Sequence, residues 1–298
     1  MKKRIESQGI HFFDRVSGTH ILFDEIKTSP ETWSLVPRTV SIGITDKCDL
    51  SCSHCHVPKY GRSLSHEQVL HLCLELDKRG TFDIAIGGGE PLLHPDLISI
   101  CHDVWNQTQL GLSLTTNGFS ITEELIDALV GKVGFFRISV DGPEPFFSLM
   151  RHRSLDDLLW RVRLLKSKIP FGFNVVLDSN NIVSLDEMLD LALKEGASEL
   201  LLLPKIANDR YVLESEGWSF LSAWIDKHHE RIPLRIISGI RERLKVPFLF
   251  DDPFYEMDYA YVGPDYTLRR SSYTQNGLDI ASFASIDDLF SAFTTLSH

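Results

Sequence analysis

From Thr39 onward, short runs of β-branched and aliphatic residues alternate with stretches whose apolar positions recur at helical spacing. The runs at Val40 to Ile44, Phe82 to Ile86, Gly111 to Thr115, Phe135 to Val140, Phe171 to Leu177 and Glu199 to Leu203 predict strands. Between them, residues 65 to 79, 95 to 107, 122 to 130, 154 to 168 and 184 to 194 predict helices, several opened by Ser, Thr or Asp in the cap position. Strands alternating with helices pair in parallel, which predicts an α/β fold. Six such units make a partial (β/α)6 barrel, an incomplete version of the eightfold one, and right-handed crossovers then bring every strand's C-terminal end to one face.

Ahead of the barrel, His11-Phe12-Phe13-Asp14 and His20-Ile21-Leu22-Phe23 flank Val16-Ser17-Gly18-Thr19, which reads as a β-hairpin. After about residue 245 the β/α rhythm gives way to a stretch rich in Asp, Pro and Tyr, ending in a short helix capped at Ser285. The expected division is therefore residues 1–36 as an N-terminal β-hairpin extension, 37–245 as the partial barrel and 246–298 as a C-terminal cap.

With 298 residues, 43% hydrophobic and 24% charged, the chain can bury one large core. No apolar run approaches a membrane span and the start lacks the apolar segment of a signal peptide, so a cytoplasmic protein without membrane contact is expected. A net charge of −11 disfavours nucleic acid, because counterion release and long-range attraction both reward basic surfaces. The five cysteines fit a reducing compartment and a metal site better than a disulfide framework.

Cys48, Cys52 and Cys55 stand in the run Cys48-Asp-Leu-Ser-Cys52-Ser-His-Cys55, a C-x3-C-x2-C set. Three thiolates on one loop can hold three irons of a cubane cluster and leave the fourth open to another ligand. The alternative is a structural zinc site completed by His54 or His56, since zinc also takes thiolate and imidazole. Four ligands crowded into residues 48 to 56 would, however, pin little chain together. Cys73 and Cys101 fall among apolar residues at helical spacing and read as core positions.

This cysteine spacing resembles the signature of the radical S-adenosylmethionine (SAM) superfamily, and further elements repeat the resemblance. Gly88-Gly89-Glu90-Pro91 is similar to the family's GGE(P) motif, whose backbone and glutamate receive the SAM ammonium; a carboxylate suits a cation, and glycines let the backbone come close. Thr116-Asn117-Gly118 resembles the third-strand element. Ser139 and Asp141 resemble the fourth-strand residues that meet the ribose or carboxylate of SAM, and Asn174 stands where related chains face SAM. His54 occupies the place of an aromatic residue that packs beside the adenine. Each motif follows a strand and falls on the rim where parallel barrels keep their active sites. Arg151 is similar to the arginine of an Arg-Gly element, but Arg151-His152-Arg153 lacks the glycine.

The resemblance implies an enzyme with a 4Fe-4S cluster and SAM as cofactors, fed electrons by a flavodoxin- or ferredoxin-type reductant, that abstracts hydrogen from a substrate. The tail around Pro264-Asp265 and Ser271 resembles a SPASM or twitch domain without its cysteines, so no auxiliary cluster is expected. A peptide substrate is suggested by that tail and by the hairpin, which could take a peptide as an added strand. A nucleotide or other small metabolite is suggested by Lys205, Arg210, Arg269 and Arg270. Arg269, Arg270 and Tyr273 are candidate substrate contacts, with solvated charges on a hairpin as the plainer reading. Outside the enzymes, a zinc-stabilised or catalytically silent binding protein on the same scaffold remains the competing class.

Overall fold

The computed structural model describes residues 1–207, 210–236, 240, 243–244 and 259–296. It begins with an antiparallel sheet of three strands, β1 (Lys2–Glu6), β2 (Gly9–Asp14) and β3 (Thr19–Phe23), in which the expected hairpin gains β1 on one side. The barrel strands follow as β4 (Thr39–Thr45), β5 (Asp83–Gly88), β6 (Gly111–Thr116), β7 (Phe135–Ser139), β8 (Phe171–Leu177) and β9 (Leu200–Pro204), each parallel to the next. Their crossovers carry α1 (His66–Lys78), α2 (Leu97–Gln107), α3 (Glu123–Leu129), α4 (Phe146–Arg151), α5 (Leu155–Arg163) and α6 (Leu185–Glu195). The N-caps expected from sequence are in place at Ser65 and Thr122, and Ser65 forms a full capping box with Gln68.

Beyond β9, a small hairpin of β10 (Ile206–Ala207) and β11 (Arg210–Tyr211) leads to α7 (Ser215–His228) and to β12 (Leu234–Ile236), a seventh parallel strand beside β9. The six-unit reading stops short of this pair because a strand of three residues leaves no run to detect. The tail forms β13 (Tyr259–Val262), β14 (Thr267–Arg269), β15 (Leu278–Asp279) and α8 (Ile286–Thr294), the last capped by Ser285 as expected. β13 pairs in parallel with β4, so among the described residues one sheet of ten strands runs from β12 through the barrel to β15 without closing on itself. The expected boundary near residue 245 lies outside the described residues.

Each barrel strand has two unlike faces. Val40, Ile42, Ile44, Ile84, Ile86, Leu114, Phe136, Ile138, Phe173, Val175, Leu200 and Leu202 are fully buried beneath the helices. Between them stand Ser41, Ala85, Ser113, Thr115 and Ser139, small and part-exposed, with Ser41, Ala85 and Ser113 side by side in register and Ser139 opposite Asn174. Filled parallel barrels put Val, Ile and Leu on both faces. Here the inner face of β4 to β6 carries little bulk, while β7 to β9 turn Phe135, Arg137, Val176, Leu201 and Leu203 to the lumen side. Cys73 and Cys101 are buried on α1 and α2, where burial raises both thiols, Cys101 to about 12.

Candidate functional site

The cysteine loop springs from the end of β4 and is closed at its neck by Thr45, whose hydroxyl meets Ser63 Oγ at 2.8 Å while Asp46 N–H donates to Arg62 O at 3.0 Å. The loop after β5 docks on this neck: Gly89 N–H donates to Thr45 O at 2.7 Å and Glu90 N–H to Lys47 O at 2.8 Å. A Cβ on Gly88, at φ +127°, would lie 2.2 Å from Thr45 O, and one on Gly89 would lie 2.3 Å from Lys47 O. These glycines therefore let the backbone approach the cysteine loop itself.

Glu90 is wholly buried, and its carboxylate accepts from Thr116 Oγ1 at 2.6 Å, Asn117 N at 2.7 Å and Leu92 N at 3.0 Å. Burial nevertheless pushes its carboxyl up to about 7, against those three donors. Asn117 in turn donates from Nδ2 to Asp49 Oδ1 at 2.8 Å and lies 4.0 Å from Cys48 Sγ. The second and third rim loops and the first cysteine thus form one hydrogen-bonded unit. Thr116 of the Thr-Asn-Gly element and Asp49, which sequence reasoning did not single out, are its joints.

Cys48 and Cys52 are half-buried and Cys55 is exposed; burial raises the thiols of Cys48 and Cys52, while Arg151 acts in the opposite sense on Cys52. Among the described residues no three His, Cys, Asp or Glu side chains are arranged to hold a single metal ion. The histidines that could complete a zinc site face elsewhere: His54 Nε2 lies 3.5 Å from Asp141 Oδ2, and His56 stacks on Tyr273 at 4.0 Å and meets Ser272 Oγ at 3.2 Å. Three sulfur donors on one loop, with an acidic loop fastened beside them, fit a cubane cluster with one open iron better than tetrahedral zinc.

On the far side of the lumen, Asp141 is 1% exposed and is bonded by Arg151 through Nε at 2.8 Å and a terminal guanidinium nitrogen at 2.8 Å. Arg151, though it lacks the glycine, is the partner of Asp141. Asn181 ties the rim behind them, donating to Asp141 O at 2.7 Å and Val176 O at 2.6 Å and accepting from Asp178 N at 2.8 Å. Nothing local in the sequence marks Asn181. Asn174 Oδ1 and His54 Nδ1 are buried with no hydrogen-bond partner among the described residues. Orphaned polar atoms beside a lumen are what a site built for a polar ligand presents.

The tail contributes less than expected. Arg269 is clamped by Asp265 at 2.6 and 2.8 Å, and Arg270 donates to Phe293 O at 2.7 Å at the end of α8 and lies over the Phe293 ring. Both charges hold the tail together, paired and shielded rather than solvated on a hairpin. Tyr273 stays beside the cysteine loop through His56, and Tyr261 reaches over β4, its hydroxyl 2.4 Å from where a Cβ on Gly43 would be.

A family model described as the Radical SAM superfamily matches residues 42–192, half of the chain. PqqA peptide cyclase of Methylorubrum extorquens is 25% identical over 240 residues, covering 75% of this chain and 59% of that protein. A probable GTP 3',8-cyclase of Methanocaldococcus jannaschii is 28% identical over 171 residues, covering 54% of this chain and 56% of its own. The chain thus spans less than two thirds of the length of these curated relatives, at 59% and 56%. Among solved structures, Streptococcus suis SuiB bound to its precursor peptide SuiA superposes with a TM-score of 0.74 over 99% of this chain and 89% of that one, at 12% identity, a likeness of fold. The matched family uses a 4Fe-4S cluster and SAM, and its named relatives here are enzymes.

Proposed function

We propose that this chain, which belongs to the radical SAM superfamily, holds a 4Fe-4S cluster on Cys48, Cys52 and Cys55, takes SAM beside it and abstracts hydrogen from a peptide. The observation that carries this reading is the joint between the two loops, where Gly89 and Glu90 bond to the backbone of the cysteine loop and Asn117 links the Glu90 carboxylate to Cys48. When bound, the cluster and SAM together supply one-electron reduction of the sulfonium and a carbon radical able to abstract hydrogen. The chain's own part is positioning. Glu90, once ionised, receives the methionine ammonium; Ser139 and Asn174 offer a hydroxyl and an amide from the inner face to the ribose or carboxylate. Arg151 holds Asp141 against His54, and His54 packs beside the adenine. Cys55, on the exposed side of the loop, is where a flavodoxin- or ferredoxin-type donor has access.

A peptide is favoured as substrate by the N-terminal sheet. The outer edge of β1 is taken, with Ser34 N–H bonded to Ile5 O at 2.9 Å and Arg4 reaching Val36 O at 2.7 Å. β3 is the other edge and has no further strand beside it among the described residues. An open edge accepts an extended peptide by main-chain hydrogen bonds, and two of the similar proteins are named for peptides. The nucleotide reading loses Arg269 and Arg270, whose charges are spent inside the tail.

Anaerobic reconstitution tests the cofactor part. Iron and sulfide should bind in near-equal amounts with broad thiolate-to-iron absorption, and replacing the three cysteines by Ala should abolish both. Stoichiometric zinc without sulfide in protein purified without air would falsify the cluster and favour the zinc-stabilised binding protein.

A further inference from the structure

The inner faces of β8 and β9 continue past the strand ends to two charged residues that no motif includes. Asp178 follows Asn174 and Val176 at period two, and Lys205 follows Leu201 and Leu203, so both stand at the C-terminal rim on the lumen side. Asp178 is 7% exposed and its carboxylate is oriented by Asn180 N–H, which donates to Oδ1 at 2.9 Å. Its other oxygen lies 3.4 Å from Lys205 Nζ, longer than the roughly 2.7–2.9 Å of a tight charge-assisted bond.

The lysine is placed by rigid neighbours. Its N–H donates to Leu177 O at 2.8 Å and its carbonyl accepts from Val212 N at 2.9 Å. An ammonium has three donors, and among the described residues only Asp178 meets this one, at long range, while 28% of the side chain is exposed. Four residues before Asp178 on the same face, Asn174 Oδ1 is 93% shielded with its residue yet unpartnered, a second polar atom waiting on the same side of the lumen.

We propose that Lys205, oriented by Asp178, is the subsite for a side-chain carboxylate of the substrate, so that the peptide carries Asp or Glu near its reacting residue. This rests on the peptide reading above. Asp178 decides the class of anion: at 3.4 Å it offsets only part of the lysine's charge, and the donors that remain suit a single carboxylate. A polyphosphate would need several uncompensated cations, and Arg269 is bonded to Asp265.

The test uses the reconstituted protein with SAM and three probes, Ac-Gly-Glu-Gly-NH2, Ac-Gly-Gln-Gly-NH2 and GTP, measured by ligand-observed NMR. The Glu peptide should bind about tenfold more tightly than its Gln isostere, the low end for a hydrogen bond to a charged group. Lys205→Met should erase that preference and Lys205→Arg should retain most of it, which separates lost charge from lost folding. Equal binding of the two peptides to the wild type, or a preference that survives Lys205→Met, overturns the subsite. So does GTP binding that depends on Lys205 and displaces the Glu peptide. A Lys205-dependent preference for Glu upholds the subsite even if deoxyadenosine never forms, an outcome that would remove the proposed activity alone.

Discussion

At the scale of single residues, Glu90 joins the most chemistry to the least exposure. Its carboxyl is pushed up to about 7 by burial although three donors oppose the shift. A raised acid pKa means that the folded chain keeps a proton the unfolded chain has released. The corresponding stability is fully present below the ordinary carboxylate range and is lost as pH rises to about 7. Urea melts of the cofactor-free protein should therefore show declining stability across that window, and Glu90→Gln should flatten the decline; an unchanged slope would place the titration elsewhere. In the proposed function the ammonium of SAM compensates the ionised form, so Glu90→Ala should weaken SAM binding by about 1.5–3 kcal/mol with cluster loading intact, as read by calorimetry. Gly89 is tested by crowding. Gly89→Ala puts a methyl 2.3 Å from Lys47 O and should cost about 1–3 kcal/mol and lower iron incorporation, while the far-UV dichroism stays the same. The two loops of this candidate site were legible because the three cysteines, and the glycines and acid of the turn, each lie within a few positions of one another in the chain. Their supports were not, since Asp49 meets Asn117 across 68 positions.

Among the elements, the rim loops after β7 and β8 depend on Asn181, which bonds Asp141 O, Val176 O and Asp178 N at once. Asn181→Ala leaves two acceptors and one donor buried without partners, and should destabilise the fold by about 1–3 kcal/mol in denaturant titration. Hydrogen exchange should rise selectively near residues 141 and 178; uniform exchange across the sheet would show the latch to be unimportant. Strands and helices of the barrel were readable because apolar spacing reports them directly, within a residue or two at β4 to β9. β12 escaped for lack of length, three residues leaving no run to detect, and α7 went unread for want of a strand to complete a seventh unit. The alternation of Ile or Leu with Ser, Ala and Gly in β4 to β6 was also present in the sequence. It is the local mark of a lumen, because only one face of these strands is packed under helices.

For the whole molecule, the tail is part of the main sheet. β13 covers the edge of β4, the strand that leads into the cysteine loop, and Arg79 at the end of α1 bonds Asp287 at 2.7 and 2.9 Å. Deleting the chain from residue 259 onward should expose the β4 edge to other chains. Size-exclusion chromatography should then show association and loss of bound iron together. A monodisperse truncated protein with full cluster content would mean that the tail serves only the substrate.

The sequence by itself determined what depends on short separations: the parallel α/β class from its repeating pattern, the candidate cluster ligands from three cysteines in eight positions, and the loops that carry them from turn residues at strand ends. Tertiary structure decided where charges are spent. Arg270 caps a helix 23 residues away, Arg151 neutralises Asp141, and Lys205 keeps open donors beside Asp178. A charged side chain looks the same in sequence whether it is paired or free. Which partner it finds is fixed only when distant strands bring their ends to one rim, and burial there sets the cost of leaving it unpaired.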